Sequence, residues 1–138
     1  MMKKWFMLML LLVCSNFAQA DDSEVLKAVE SAARSWFELV DDGKYKESWE
    51  MSSVLFKNKT PEADWLKSIT GIRTPRGAMT ARYLATAGVT KSISGFPDGE
   101  YVVLQFYTTF AEKGLAMETV TLAKTVENTW QMADYAIK

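Results

Sequence analysis

The chain contains no histidine, and its one cysteine, Cys14, lies close to the N-terminus. The missing histidine removes the commonest general base and the commonest transition-metal ligand together. Ser-His-Asp and Cys-His catalysis are excluded with it. With no thiolate beyond Cys14, zinc, iron and copper sites are not expected, and no D-x-[DN]-x-[DN]-G loop offers a calcium site. No metal or cofactor is therefore expected. Charge of one sign is also lacking: 16 Lys and Arg are interspersed with 17 Asp and Glu. Without a basic stripe, neither nucleic acid nor anionic lipid is an expected partner.

The N-terminus has its own pattern. Lys3 and Lys4 give a short positive segment, Trp5 to Val13 an apolar run, and Ala18-Gln19-Ala20 a small-x-small cleavage site. Even extended to Phe17, the run falls short of the roughly 20 residues a spanning helix needs. Acylation of Cys14 is disfavoured because Val13, not a small residue, precedes it. Residues 1–20 therefore read as a signal peptide cleaved after Ala20, leaving a periplasmic or secreted protein with no membrane attachment. The remaining 118 residues, 21–138, form one expected domain, and loss of the two lysines takes the net charge from −1 to −3. A mature chain without cysteine has no disulfide and must rely on its hydrophobic core.

From Glu24 to Val40, apolar residues at Val25, Leu26, Val29, Ala32, Ala33, Trp36, Phe37 and Val40 keep helical spacing, and Asp42-Gly43 supplies a stop. Tyr45, Trp49, Ser52 and Phe56 mark a second helical stripe. Thr60 as cap, Pro61 at the first helical position and Glu62 and Asp64 in the first turn predict a third helix, with Trp65, Leu66, Ile69 and Ile72 facing inward. That helix is expected to fail by Thr74, before Pro75. After the loop Thr74 to Gly77, Ala78 to Val89 reads as one long β segment. A Pro97-Asp98-Gly99 turn then leads into an antiparallel meander, Glu100 to Glu112, Leu115 to Val126 and Thr129 to Ile137. The fold class predicted is α+β: three N-terminal helices packed on a strongly curved, mainly antiparallel sheet.

The ordered set Gly43-x-Tyr45, Ser48-Trp49, Trp65, Arg73-x-Pro75-x-Gly77, Arg82, Pro97-Asp98-Gly99-x-Tyr101, Phe110, Glu118, Trp130 and Tyr135 resembles the bacterial exported domain-of-unknown-function family 4019. The resemblance covers nearly the whole mature chain and implies a cystatin-like, nuclear-transport-factor-two-like cone. Arg76 departs from it, standing where an apolar residue is expected. No catalytic residue is implied, because the family's function is unknown.

Two groups of residues are candidates for a site. Strand alternation puts Glu118 on the face of Ala116, Val120 and Leu122, where a carboxylate needs a cation to offset its lost hydration, and Arg82 is the natural partner. Such a pair is either a cavity device that orients a ligand or moves a proton, or a structural ion pair at the rim of the sheet. Trp36, Trp49, Trp65 and Trp130 read as core, but Trp49 and Trp65 with Tyr45 are also placed to wall a small apolar-ligand pocket. Arg73 and Arg76 read as solvated loop charges or as an anion-binding pair.

The functional expectation is an exported, non-enzymatic ligand-binding or protein-interaction module. Tyr101, Val103 and Tyr107 on the outer sheet face favour a homodimer. The alternative is an isomerase, dehydratase or hydrolase with Glu118 or Asp134 as base and Arg82 or Tyr107 as orienting group, an analogy of fold alone.

Overall fold

A computed structural model describes residues 17–138, with side chains from Asp22 onward. The expected signal segment up to Asn16 and the side chains of residues 17–21 lie outside it. Four helices precede four strands: α1 (Phe17–Asp41), α2 (Tyr45–Glu50), α3 (Val54–Lys59), α4 (Glu62–Arg73), then β1 (Met79–Thr90), β2 (Tyr101–Phe110), β3 (Gly114–Lys124) and β4 (Trp130–Ile137). The strands form an open antiparallel sheet in the order β1-β2-β3-β4, so the α+β class and the meander stand as expected.

The register puts Leu84, Phe106, Glu118 and Ile137 in one row across the sheet. Register shifts lie between Met79 and Ala81, Leu84 and Thr86, and Thr121 and Leu122. Such irregularities bend the strand that carries them and re-aim its side chains. At the hairpin ends Gly114 and Asn128 take positive φ, 74° and 62°, the conformation these tight turns require.

The helices cover one face. Val29, Ala33, Trp36, Phe37 and Val40 of α1 are no more than 3% exposed, and they meet Val102, Leu104, Phe106, Val120, Leu122 and Met132 from the sheet. Trp36 lies against Trp65 and Tyr135 with ring centroids 5.8 and 5.3 Å apart, and Phe37 meets Phe106 edge-on at 5.2 Å. Val25 and Leu26 depart from the expected stripe, at 39% and 37% exposed. They flank Ala87 and Val89 on β1, an edge strand that is itself open to solvent there.

Helix number and one boundary also differ from expectation. The second stripe is split into α2 and α3 by Met51, Ser52 and Ser53. The Ser53 hydroxyl accepts hydrogen bonds from the Leu55 and Phe56 amides, so a new helix starts there, and the Ser53 amide donates to the Met132 carbonyl at 2.7 Å. Thr60 does not cap α4 as expected: it ends α3 in an extended conformation, and its carbonyl accepts the Trp49 indole N–H at 2.8 Å. Pro61 takes the position before the helix, and the chain after α4 tightens into a 3₁₀ turn, Thr74–Arg76, rather than an open loop.

Ser48, fully buried, ties three of the helices together. Its hydroxyl donates to the Tyr45 carbonyl at 2.6 Å and accepts the Trp65 indole N–H at 3.0 Å, while its carbonyl accepts the Trp36 indole N–H at 3.0 Å. Replacing Ser48 with Ala strands the Trp65 N–H, a loss of about 1–3 kcal/mol. Urea denaturation should show that drop in midpoint with an unchanged slope; a wild-type midpoint would contradict the role given to Ser48.

Candidate functional site

Glu118 is 0% exposed, a carboxylate among core side chains. Its period-two position on β3 forces it inward, and three donors meet it there. The Arg82 Nε donates to Oε1 at 2.9 Å, the Thr108 hydroxyl donates to the same oxygen at 2.6 Å, and the Tyr135 hydroxyl donates to Oε2 at 2.5 Å. Arg82 in turn reaches α1, where its Nη1 donates to Asp41 Oδ2 at 2.7 Å and its Nη2 to Oδ1 at 3.1 Å. Arg73 of α4 donates from Nη1 to the same Asp41 Oδ1 at 2.8 Å. Two guanidinium groups and two carboxylates thus form one neutral network, and the Arg82 Cζ lies 3.9 Å from the centre of the Phe37 ring.

Burial and charge oppose each other at Arg82. Desolvation alone would lower its pKa, but the hydrogen bond to Asp41 and the charges of Glu118 and Asp41 more than offset it, so the guanidinium holds its proton above its ordinary value. For Tyr135 they act together. Burial first, then the charge of Glu118 and the hydrogen bond to it, push the phenol well above its usual range.

The structure therefore brings together Glu118 and Arg82, as the strand faces predict. Tyr107 and Asp134, the other groups considered for chemistry, are exposed on β2 and β4, on the face of the sheet away from Glu118. Trp65, 4% exposed, is enclosed by Trp36, Phe56 and Tyr135. Trp49 is half-buried, with the Lys57 ammonium 5.5 Å from its ring centre, and Tyr45 lies half-buried against the core. Arg76 sits over Phe110 at 5.8 Å, which gives the unexpected charge in the Pro-x-Gly turn an aromatic face to rest on.

Asp41, Arg73, Thr108 and Tyr135 were not singled out for this network from sequence. A signal existed for two of them. Asp41 falls four residues after Phe37, and Arg73 falls four after Ile69 and eight after Trp65, so both continue inward stripes.

A carboxylate with both oxygens engaged and no exposed surface is closed to solvent in this geometry. It holds elements together instead. A family model described as Protein of unknown function (DUF4019) matches residues 32–135, which include every member of the network. The chain belongs to this family. No curated protein matches the chain. Seven solved chains do, among them a 2.5 Å structure from Catenulispora acidiphila, 12% identical over 86% of this chain and 93% of that one, with a TM-score of 0.54. At that identity the likeness is one of fold.

Tyr135 gives the site a pH signature. In the unfolded chain its phenol ionises near the ordinary value of 10.0, whereas in the folded family member it keeps its proton to higher pH. The stabilisation is fully present below pH 10 and is lost as pH rises beyond it, by up to about 1.4 kcal/mol per pH unit. Tyr135→Phe should be less stable than wild type at pH 9, and the gap between them should narrow between pH 10 and 12 in parallel urea titrations. A gap that stays constant would show that Tyr135 ionises normally.

Proposed function

We propose that this family member is an exported, non-enzymatic interaction module that pairs with a second copy of itself through the outer face of its sheet. The observation that carries the reading is the composition of that face. Tyr83, Tyr107 and Met117 stand in one register row, with Tyr83 69% and Tyr107 47% exposed, and Leu115 beside them is 69% exposed. Around them on β1, β2 and β3 are Thr86, Gly88, Val103, Gln105, Thr109 and Thr119. None is charged. Depletion of charge with enrichment of Tyr and Met is the composition of interface centres rather than of ordinary surface.

A two-fold interface brings each residue against its own surface patch, so a charged face would meet like charge. An uncharged one does not. Asp134 and Lys138, on the β4 side, are opposite in sign and suit a rim. Tyr101 contributes less than its strand position suggests. It is 2% exposed, covered by Ile93 and Phe96 from the β1–β2 connection, and its hydroxyl donates to the Pro97 carbonyl. Export rests on Lys3, Lys4, the apolar run and Ala18-Gln19-Ala20. Cleavage after Ala20 removes only the start of α1, and among the described side chains of that helix the first buried one is Val29.

Mass spectrometry of protein recovered from its own host tests both parts. Under denaturing conditions the mass should begin at Asp21, and under native conditions it should double. Tyr83→Arg combined with Tyr107→Arg should give a monomer with unchanged circular dichroism. A monomeric wild type, or a dimer indifferent to both arginines, would overturn the pairing. Recovery with residues 1–20 intact would overturn export.

A further inference from the structure

The two edges of the sheet differ in what the rest of the chain does with them. At β4 the Ser53 amide, between α2 and α3, donates to the Met132 carbonyl. At β1 there is no such contact among the described residues. The last register shift in β1 falls between Leu84 and Thr86, and from Thr86 to Thr90 each residue pairs one to one with β2, Gln105 back to Tyr101. Among the described residues the backbone of this run makes no hydrogen bond other than to β2. Alternate residues of a strand turn their N–H and C=O to opposite sides, so one set here faces solvent. Ala85 to Val89 are all exposed, and no charged residue or proline lies between Tyr83 and Thr90. Edge strands are ordinarily blunted by Lys, Pro or a bulge, and a run without them is a template for an added strand.

The helix side of this run is apolar as well. Val25 and Leu26 of α1 border it, and with Asp22, Ala87, Val89 and Val102 they line an open slot of about 380 Å³. Val89 is 79% exposed, and Val25 and Leu26 stay partly open beside it. Further along, Arg34, Glu38 and Asp41 of the same helix flank Met79 to Arg82, so α1 runs back along β1 and Asp22 lies at the Val89 end. Asp22 is exposed and makes no ion pair among the described residues. The slot is thus apolar along its length and negative at one end.

We propose that the edge from Thr86 to Thr90 takes an extended segment of a partner protein as a fifth, antiparallel strand, with small or β-branched apolar side chains in the slot and a Lys or Arg at its N-terminal end facing Asp22. Only extended backbone matches a row of N–H and C=O groups, which excludes a helix. A second copy of this chain does not match the charge. With Thr86 of the copy opposite Thr90, Ala85 and Leu84 of the copy would come to the Asp22 end, and Arg82, the first cation beyond them, is held by Asp41 and Glu118. This site goes beyond the self-pairing of the outer face. It uses the edge and the helix side of β1, so either can fail without the other.

The experiment is an NMR titration of the isotope-labelled protein with the peptide acetyl-Lys-Thr-Val-Thr-Val-Thr-amide, whose Lys and Val side chains share one face. The amides of Thr86 to Thr90 and of Val25 and Leu26 should shift to saturation, and should do so equally in the protein carrying Tyr83→Arg and Tyr107→Arg. Two further peptides, N-methylated at one alternate set of amides or at the other, separate strand addition from apolar contact. One should bind about tenfold more weakly or worse, and the other about as well as the parent. Val89→Lys puts a charge into the slot at an exposed position and should abolish binding without changing the thermal midpoint. Asp22→Lys should weaken the parent peptide and strengthen one that begins with Glu. Signals unmoved up to about 5 mM would overturn the site. Equal binding of the two N-methylated peptides, or unimpaired binding in Val89→Lys, would overturn it equally. An oligomer that persists in the Tyr83→Arg, Tyr107→Arg protein with the Thr86 to Thr90 amides protected would show that a second copy, not a partner, fills the edge.

Discussion

A carboxylate held in an apolar core has to recover the hydration it has lost, and the pairing of Glu118 with Arg82 at 2.9 Å is the constraint on which this fold turns. Through it six elements are joined: Asp41 from α1, Arg73 from α4, Arg82 from β1, Thr108 from β2, Glu118 from β3 and Tyr135 from β4. Every strand of the sheet contributes. Sliding any strand by one residue would turn its member of the network to the opposite face. Removing one partner from a buried pair ordinarily costs about 3–5 kcal/mol, because the other charge is left behind. The same pair replaced as a whole by apolar groups can be neutral. Such a network therefore fixes which register is native more than it adds to overall stability.

That division of labour also separates the two faces of the sheet. Toward the helices, Trp36, Phe37, Trp65, Phe106 and Tyr135 fill the space beside Glu118 with rings in mutual contact, and the carboxylate's oxygens are taken. The features that face solvent lie elsewhere. Chief among them is the outer face around Tyr83 and Tyr107, which carries no charge on β1, β2 and β3. A rigid, internally neutralised core is consistent with the proposed interaction through that outer face.

Much of this was legible in the sequence because β periodicity is simple. Alternation alone placed Glu118 with Val120 and Leu122 and paired it with Arg82, and the three β segments after the Pro97-Asp98-Gly99 turn gave the meander. What escaped was decided by hydrogen bonds between distant segments. Asp41 comes just before the Asp42-Gly43 stop and shows no role of its own there, and Arg73 before a proline loop looks like a solvated charge, until the two are seen to form an ion pair. The break between α2 and α3 follows from the Ser53 amide binding the Met132 carbonyl nearly eighty residues on, which no local propensity encodes. Thr60 was a plausible cap by composition, but its carbonyl was claimed by Trp49 and its backbone drawn into an extended form.

The most direct test of the account is the rate at which the Arg82 Nε–H exchanges with solvent, read by NMR in the intact protein. A sealed structural network predicts a resolved Arg82 signal whose exchange is as slow as that of the Phe106 and Val120 amides in the centre of the sheet, since only global unfolding would release it. Exchange on the timescale of an exposed guanidinium, with those amides still protected, would show that water reaches Glu118 in the folded protein, and the network would then have to be read as the floor of an accessible cavity.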